Sequence, residues 1–439
     1  MQKRWLCAAL LVAGAAFAAE PSSAESLDAL VSKLGSEDFA VREGATRSIQ
    51  DRLPEALPEL RRAMEGAKDN EARARLKTLI ERATPGKEVW NLNTADTVFS
   101  PVILGGRLYA ATKNSKVLCL NASDGKKVWE VNCDEKPVSA PAVEARYLYA
   151  GCGKTLVAFR TANGEKAWAA ELDSPAQGSP ALAENLLYAG SAEGHVYCLD
   201  PQTGKVLWNV NASGRLTCGT GIAVDGGRVF AGTYHPALDC LDAKTGEKKW
   251  SFTYKQGQTP NDVPVVADGK VFINPSSMLI CLNAADGAKL WSFDCDVSGG
   301  WAPAIAGGTV YFVGGTRALY ALDAATGKPR WTSESDGKFW HAPVISGDCV
   351  YLGSVDAKMY ALDARTGKKL WEADAGAIVT SPPALSGPYL YWGMGWREDI
   401  ERAALKPYGK LLALNIAKRA PADWPMLLGS ANRAGAKKE

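Results

Sequence analysis

Between Ser179 and Val210 the chain writes four short apolar runs: SPALAEN, LLYAGS, HVYCLD and KVLWNV. Aliphatic and aromatic residues fill each run, which predicts strands rather than helices. The breaks between them read AEN, AEGH and PQTG, residues that suit tight turns. Runs this short, joined this closely, predict four antiparallel strands in one small sheet.

The unit recurs. It ends at Trp90, Trp129, Trp168, Trp208, Trp250, Trp291, Trp331 and Trp371, with a period of about forty residues that marks a propeller. Each Trp has a Gly four places before it, from Gly86 to Gly367. Asp or Asn opens the turn into the outermost strand at Asn121, Asp200, Asp242, Asn283, Asp323, Asp363 and Asn415. Its side chain can accept from a backbone N–H two residues on, and the Gly supplies positive φ. Arg160 stands in that place in the remaining unit, so its turn is expected to be looser. The periodic Trp residues are expected between blades, where truncation of a fully buried one costs ~3–5 kcal/mol.

Inner strands are expected to start near Ser100, Ala140, Ser179, Gly219, Val263, Ala302, Ala342 and Ser381. The last unit has PPALSG, YLYWGM and KLLALN but no outermost strand. TPGKEVWNLN, residues 84–93, is expected to supply it, closing the ring and leaving no open seam. The predicted fold is all-β: an eight-bladed β-propeller of four-stranded antiparallel blades over residues 84–416, closed N- to C-terminus. A C-terminal tail, 417–439, follows it.

Residues 25–83 change period. Leu27, Leu30, Val31 and Leu34, then Leu76, Leu79, Ile80 and Ala83, repeat as on a helix face. Ser36 is a candidate cap ahead of Glu37 and Asp38. About four short helices in two hairpins are expected, and SEDFAVREGATRSI resembles a HEAT-type repeat. The start, MQKRWLCAALLVAGAAFAAE, has basic residues, an apolar run and small residues. It reads as a signal peptide over residues 1–19 and predicts an exported, soluble chain, periplasmic or extracellular. That apolar run is too short to span a bilayer comfortably, and no other long apolar run exists.

Charge is balanced, 50 Lys+Arg against 48 Asp+Glu, so no global field favours nucleic acid. Cys119, Cys198, Cys240 and Cys281 share one repeat position, and Cys133 and Cys295 share another. Equivalent positions lie a repeat apart, too far to bridge, so small buried thiols are expected. No C-x-x-C pair suggests zinc. GCGKT at 151–155 lacks the earlier Gly of a phosphate loop and precedes a strand.

The recurring A-L-D-A-x-T-G-K-x-x-W resembles the repeat of the pyrroloquinoline quinone (PQQ) propeller superfamily over roughly residues 84–416. The resemblance implies either of two activities. In quinoprotein alcohol dehydrogenases, the propeller holds the quinone and a calcium ion. In the propeller subunit of the outer-membrane β-barrel assembly machinery, it is a non-enzymatic scaffold for protein partners. No two Cys residues are adjacent here, unlike in many of the enzymes.

An exported scaffold that binds an envelope protein partner, with no catalytic residue, cofactor or metal, is the reading adopted. A PQQ- and calcium-dependent oxidoreductase and a carbohydrate-binding propeller are the alternatives. The expected ligand or partner face carries Trp301, Trp340, His341, His235, Trp396 and Arg397. The last two lie in the long insertion at 393–409, where a rigid scaffold tends to place function. Trp301, Trp340 and Trp396 could stack on a planar or sugar-like ligand.

Overall fold

A computed structural model describes residues 25–416 apart from 51, 53–55, 138, 217–220, 234–236, 254–262, 276–277, 296–300, 315–317, 335–338, 380 and 396–408. The leader expected at 1–19 and the tail expected at 417–439 lie outside the described residues. The chain divides into two compact units, Met1–Ile80 and Glu81–Glu439. Among the described residues no helix is long and apolar enough to cross a membrane.

Residues 25–83 form four helices: α1 (Leu27–Lys33), α2 (Phe39–Gln50), α3 (Leu57–Gly66) and α4 (Asn70–Ala83). Leu30, Leu34, Ile49, Leu60, Leu76 and Leu79 bury their side chains, the face that helical spacing picks out. Arg75 ties α2 to α4 through Glu43 at 2.8 Å and also pairs with Glu71 at 2.7 Å. The cap of α2 is Asp38 and not Ser36. The Asp38 carboxylate accepts from the N–H of Ala40 at 2.7 Å, while the Ser36 hydroxyl accepts from Asp38 N–H at 3.2 Å. The longer, charged side chain sits nearer the free N–H groups and takes them.

The second unit is a ring of eight four-stranded antiparallel sheets. In seven blades the strands follow chain order. The eighth takes Ala384–Ser386, Tyr389–Met394 and Lys410–Asn415 from the end of the chain, and Glu88–Asn93 from its beginning. Trp90 pairs with Ala413 and Leu92 with Leu411, as closure requires. Apolar clusters straddle neighbouring blades; one joins Tyr188 and Cys198 of the third blade to Ile222 and Val229 of the fourth.

Four inner strands start two residues after the expected point, and the fourth and eighth start three after it, at Ile222 and Ala384. Pro101, Pro141, Pro264, Pro303 and Pro383 precede the first ladder pair in their blades and have no N–H to donate. The third and seventh blades differ. Their inner strands, Ala176–Ala183 and Phe339–Ser346, start three residues early and run through a bulge.

The Trp–Gly pattern acts between blades. Each Trp ring lies on the turn Gly of the next blade, so a Cβ on Gly204 would sit 2.5 Å from Trp168 and one on Gly125 2.6 Å from Trp90. Most of these indoles also donate Nε1–H to a carbonyl in that turn: Trp90 to Ala122 at 2.8 Å, Trp168 to Pro201 at 3.0 Å and Trp331 to Ala364 at 3.0 Å. Tyr149 and Tyr311 donate to the same Pro201 and Ala364 carbonyls, each at 3.1 Å. Burial is less complete than expected. Trp90 and Trp129 are buried, whereas the other six keep an edge at the surface. The Arg160 turn is no looser than its counterparts: Gly164 N–H reaches Arg160 O at 2.8 Å, as Gly125 N–H reaches Asn121 O. The backbone bonds close this turn without the side-chain acceptor.

The cysteines divide. Cys119, Cys198, Cys240 and Cys281 are buried free thiols, and Cys295 and Cys349 are buried as well. Cys133 and Cys152 form a disulfide, Cα–Cα 6.1 Å, contrary to the expectation of thiols alone. The two do not share a repeat position. Cys133 leaves the outermost strand of the first blade, and the segment after it bridges at Pro137 to Cys152 on the second strand of the next blade.

Burial pushes the Cys119 and Cys198 thiols up to about 11, and those of Cys240 and Cys281 up to about 12. Thiolate is the reactive form. Iodoacetamide at about pH 8 is therefore expected to leave these four unlabelled in the native chain and label them in denaturant; rapid native labelling would contradict this burial. Because the folded values are raised, the stability these groups contribute is complete below about pH 9 and declines as pH climbs towards the folded values.

Candidate functional site

In an antiparallel blade the second-to-third hairpin and the connection onward to the next blade emerge at the same end. On this face Asp173, after the outermost strand of the second blade, accepts from Tyr197 Oη at 2.8 Å, and its other carboxylate oxygen lies 2.7 Å from His195 Nδ1. Partial burial acts to raise the Asp173 pKa, but hydrogen bonds with Tyr197 and His195 hold it below the usual carboxylate value. One blade on, the fully buried Asp239 accepts from Ser213 N–H at 2.7 Å and Ser251 Oγ at 2.6 Å, with Lys248 Nζ at 3.2 Å. Both carboxylates are satisfied, and both brace blade junctions.

A cleft of about 740 Å³ lies between the sixth and seventh blades. Its floor includes Phe339, Tyr360 and Leu362. Tyr360 Oη donates to Asp356 at 2.7 Å, and Glu372 pairs with Lys358 and Lys369 at 2.6 and 2.7 Å. Its charges are largely compensated within the cleft.

The inner strands of most successive blades contact one another around the centre. Each contains a residue paired with a Tyr or Phe of the second strand. Three places before that residue stand Phe99, Ser139, Gly178, Trp301, His341 and Ser381, in the first, second, third, sixth, seventh and eighth blades. The equivalents in the fourth and fifth blades lie outside the described residues. Neighbouring members of this ring touch across blade junctions. Ser139 Oγ donates to Gly178 O at 2.8 Å, and the Trp301 and His341 rings meet at 4.5 Å, tilted by 42°.

Of the residues expected on this face, Trp301 and His341 are thus brought together. Trp340 lies on the inner strand of the seventh blade, paired with Gly353; its side chain lies outside the described residues, as do His235, Trp396 and Arg397. His341 has φ +72°, in a bulge of the same register as the one where Gly178 has φ +67°. A shared bulge register is a signal that the X-Pro motif, present in seven of the eight blades, does not carry.

A pyrroloquinoline quinone is a polycarboxylate, and its calcium would need oxygen ligands. The six described ring positions carry no carboxylate and no Lys or Arg. Among the described residues, no three His, Cys, Asp or Glu side chains gather to hold a metal. The described part of the ring does not fit that cofactor.

A family model described as outer membrane protein assembly factor BamB matches residues 77–217, 192–280 and 275–418. Among solved structures, BamB from Moraxella catarrhalis is similar at 16% identity and TM-score 0.61, over 74% of this chain and 97% of that one. The computationally designed Ika8 protein is similar at 14% identity and TM-score 0.65, over 75% and 100%. Quinohemoprotein alcohol dehydrogenase from Comamonas testosteroni is similar at 14% and TM-score 0.59, over 76% and 77%. These identities speak for the fold alone. No curated protein matches the chain. With matches that run from the first closing strand through the last blade, the chain belongs to the PQQ-repeat propeller family described as outer membrane protein assembly factor BamB.

Proposed function

We propose that this chain is an exported, non-enzymatic scaffold that holds an envelope protein on the face where the blade-to-blade connections emerge. The observation that carries this reading is the uncharged chemistry of the described ring, which suits contact better than quinone or metal chemistry. Membership of the BamB-described family supports it. The Cys133–Cys152 disulfide is consistent with an oxidising compartment, as export would provide.

The test places a photo-crosslinking amino acid at Glu193, in a hairpin of the proposed face, or at Lys126, in a turn on the opposite face. A discrete adduct from position 193 in envelope extract, absent from position 126, is the expected outcome. Identical adduct patterns from the two positions would remove the proposed face. Dye reduction by the purified chain supplied with quinone, calcium and an alcohol would replace the scaffold with an oxidoreductase.

A further inference from the structure

We propose that Trp301 and His341 form a subsite for an uncharged pyranose ring at the entrance to the propeller's centre. The argument starts from the backbone. A side chain at positive φ is sterically costly, while Gly adopts that conformation freely. The third blade builds this bulge with Gly178 at φ +67°; the seventh builds it with His341 at φ +72°. The bulge alone therefore does not call for an imidazole, and a strained residue on an inner strand points to a use for its side chain.

The neighbouring geometry says what that use is. Trp301 packs against the cores on both sides of it, so its indole is held in place before any ligand arrives, which lowers the ordering cost of binding. His341 meets it at 4.5 Å. The Ser139–Gly178 contact stands four blades away in a ring of eight, on the opposite side. One side of the ring of positions is aromatic and the opposite side is small and hydroxyl-bearing. A pyranose has C–H faces for an indole and a polar rim for imidazole, hydroxyl and backbone groups. The described ring offers no counter-charge, so an ionic ligand would lose hydration without replacement. The subsite does not depend on the protein-partner reading.

The probes are N,N′-diacetylchitobiose and cellobiose, followed by saturation-transfer NMR on the full chain, with citrate as the ionic control. At least one sugar is expected to show transfer and citrate none. His341→Gly is expected to melt no lower than the parent and to bind ~10-fold more weakly. Trp301→Phe, which keeps an aromatic ring in the core, is expected to weaken binding with little change in melting. Absence of transfer from both sugars, or equal transfer from citrate, would overturn the proposal. So would a fall of more than a few degrees in the melting temperature of His341→Gly, which would make the imidazole a packing residue.

Discussion

Gly204→Ala will destabilise the propeller by roughly 2–4 kcal/mol, the sum of a left-handed backbone penalty and overpacking. Gly204 has φ +72°, and its new Cβ would sit 2.5 Å from Trp168 Cε3. The two costs can be separated. Gly347 has φ +55° with nothing within 4 Å of a built Cβ, so Gly347→Ala pays the backbone cost alone, about 1 kcal/mol. Urea unfolding of the two variants measures the difference. In a Trp168→Ala background the steric part should vanish, giving strong non-additivity for residues in contact. Equal losses from Gly204→Ala and Gly347→Ala would show that the indole yields and that the turn Gly is there for its φ only.

Trp90→Ala is the second large effect, an expected loss of ~3–5 kcal/mol. Trp90 is 9% exposed, donates Nε1–H to Ala122 O at 2.8 Å and covers Gly125 of the first blade. It also sits on the closing strand, opposite Ala413. Trp208 makes the same kind of contact, with a 3.2 Å bond to Ala243 O, but is only half-buried. Trp208→Ala should therefore cost visibly less. Limited proteolysis supplies a second readout: loosening of the eighth blade should expose the Lys410–Asn415 strand in the Trp90 variant and not in the Trp208 variant. Matching losses and matching digests would mean that the closure carries no special weight.

The ring, its eight blades and the capture of residues 84–93 by the last sheet were legible because each leaves a periodic mark. What escaped has physical reasons. Comparison of equivalent positions separates Cys133 from Cys295 correctly but is blind to Cys152, which reaches Cys133 from a different strand of the next blade. The Gly before each Trp reads as a turn former, because the indole that rests on it belongs to the preceding unit. Asp38 outcompetes Ser36 as a cap through charge and reach, which spacing does not encode. Within the candidate site, Trp301 and His341 were recognisable as aromatic residues at strand entrances. Their contact and the left-handed His341 backbone depend on the bulge register, which two blades share and the sequence motif does not mark.

The eighth blade also imposes an order on biosynthesis. Glu88–Asn93 is made long before its partner Lys410–Asn415. Until then the early strand has an unsatisfied edge and nowhere native to put the Trp90 indole. Long-range pairing of this kind folds slowly and leaves nascent chains open to mispairing. A chaperone that shields the nascent N-terminal strand should raise the yield of the full chain far more than that of a circular permutant in which the two strands are neighbours.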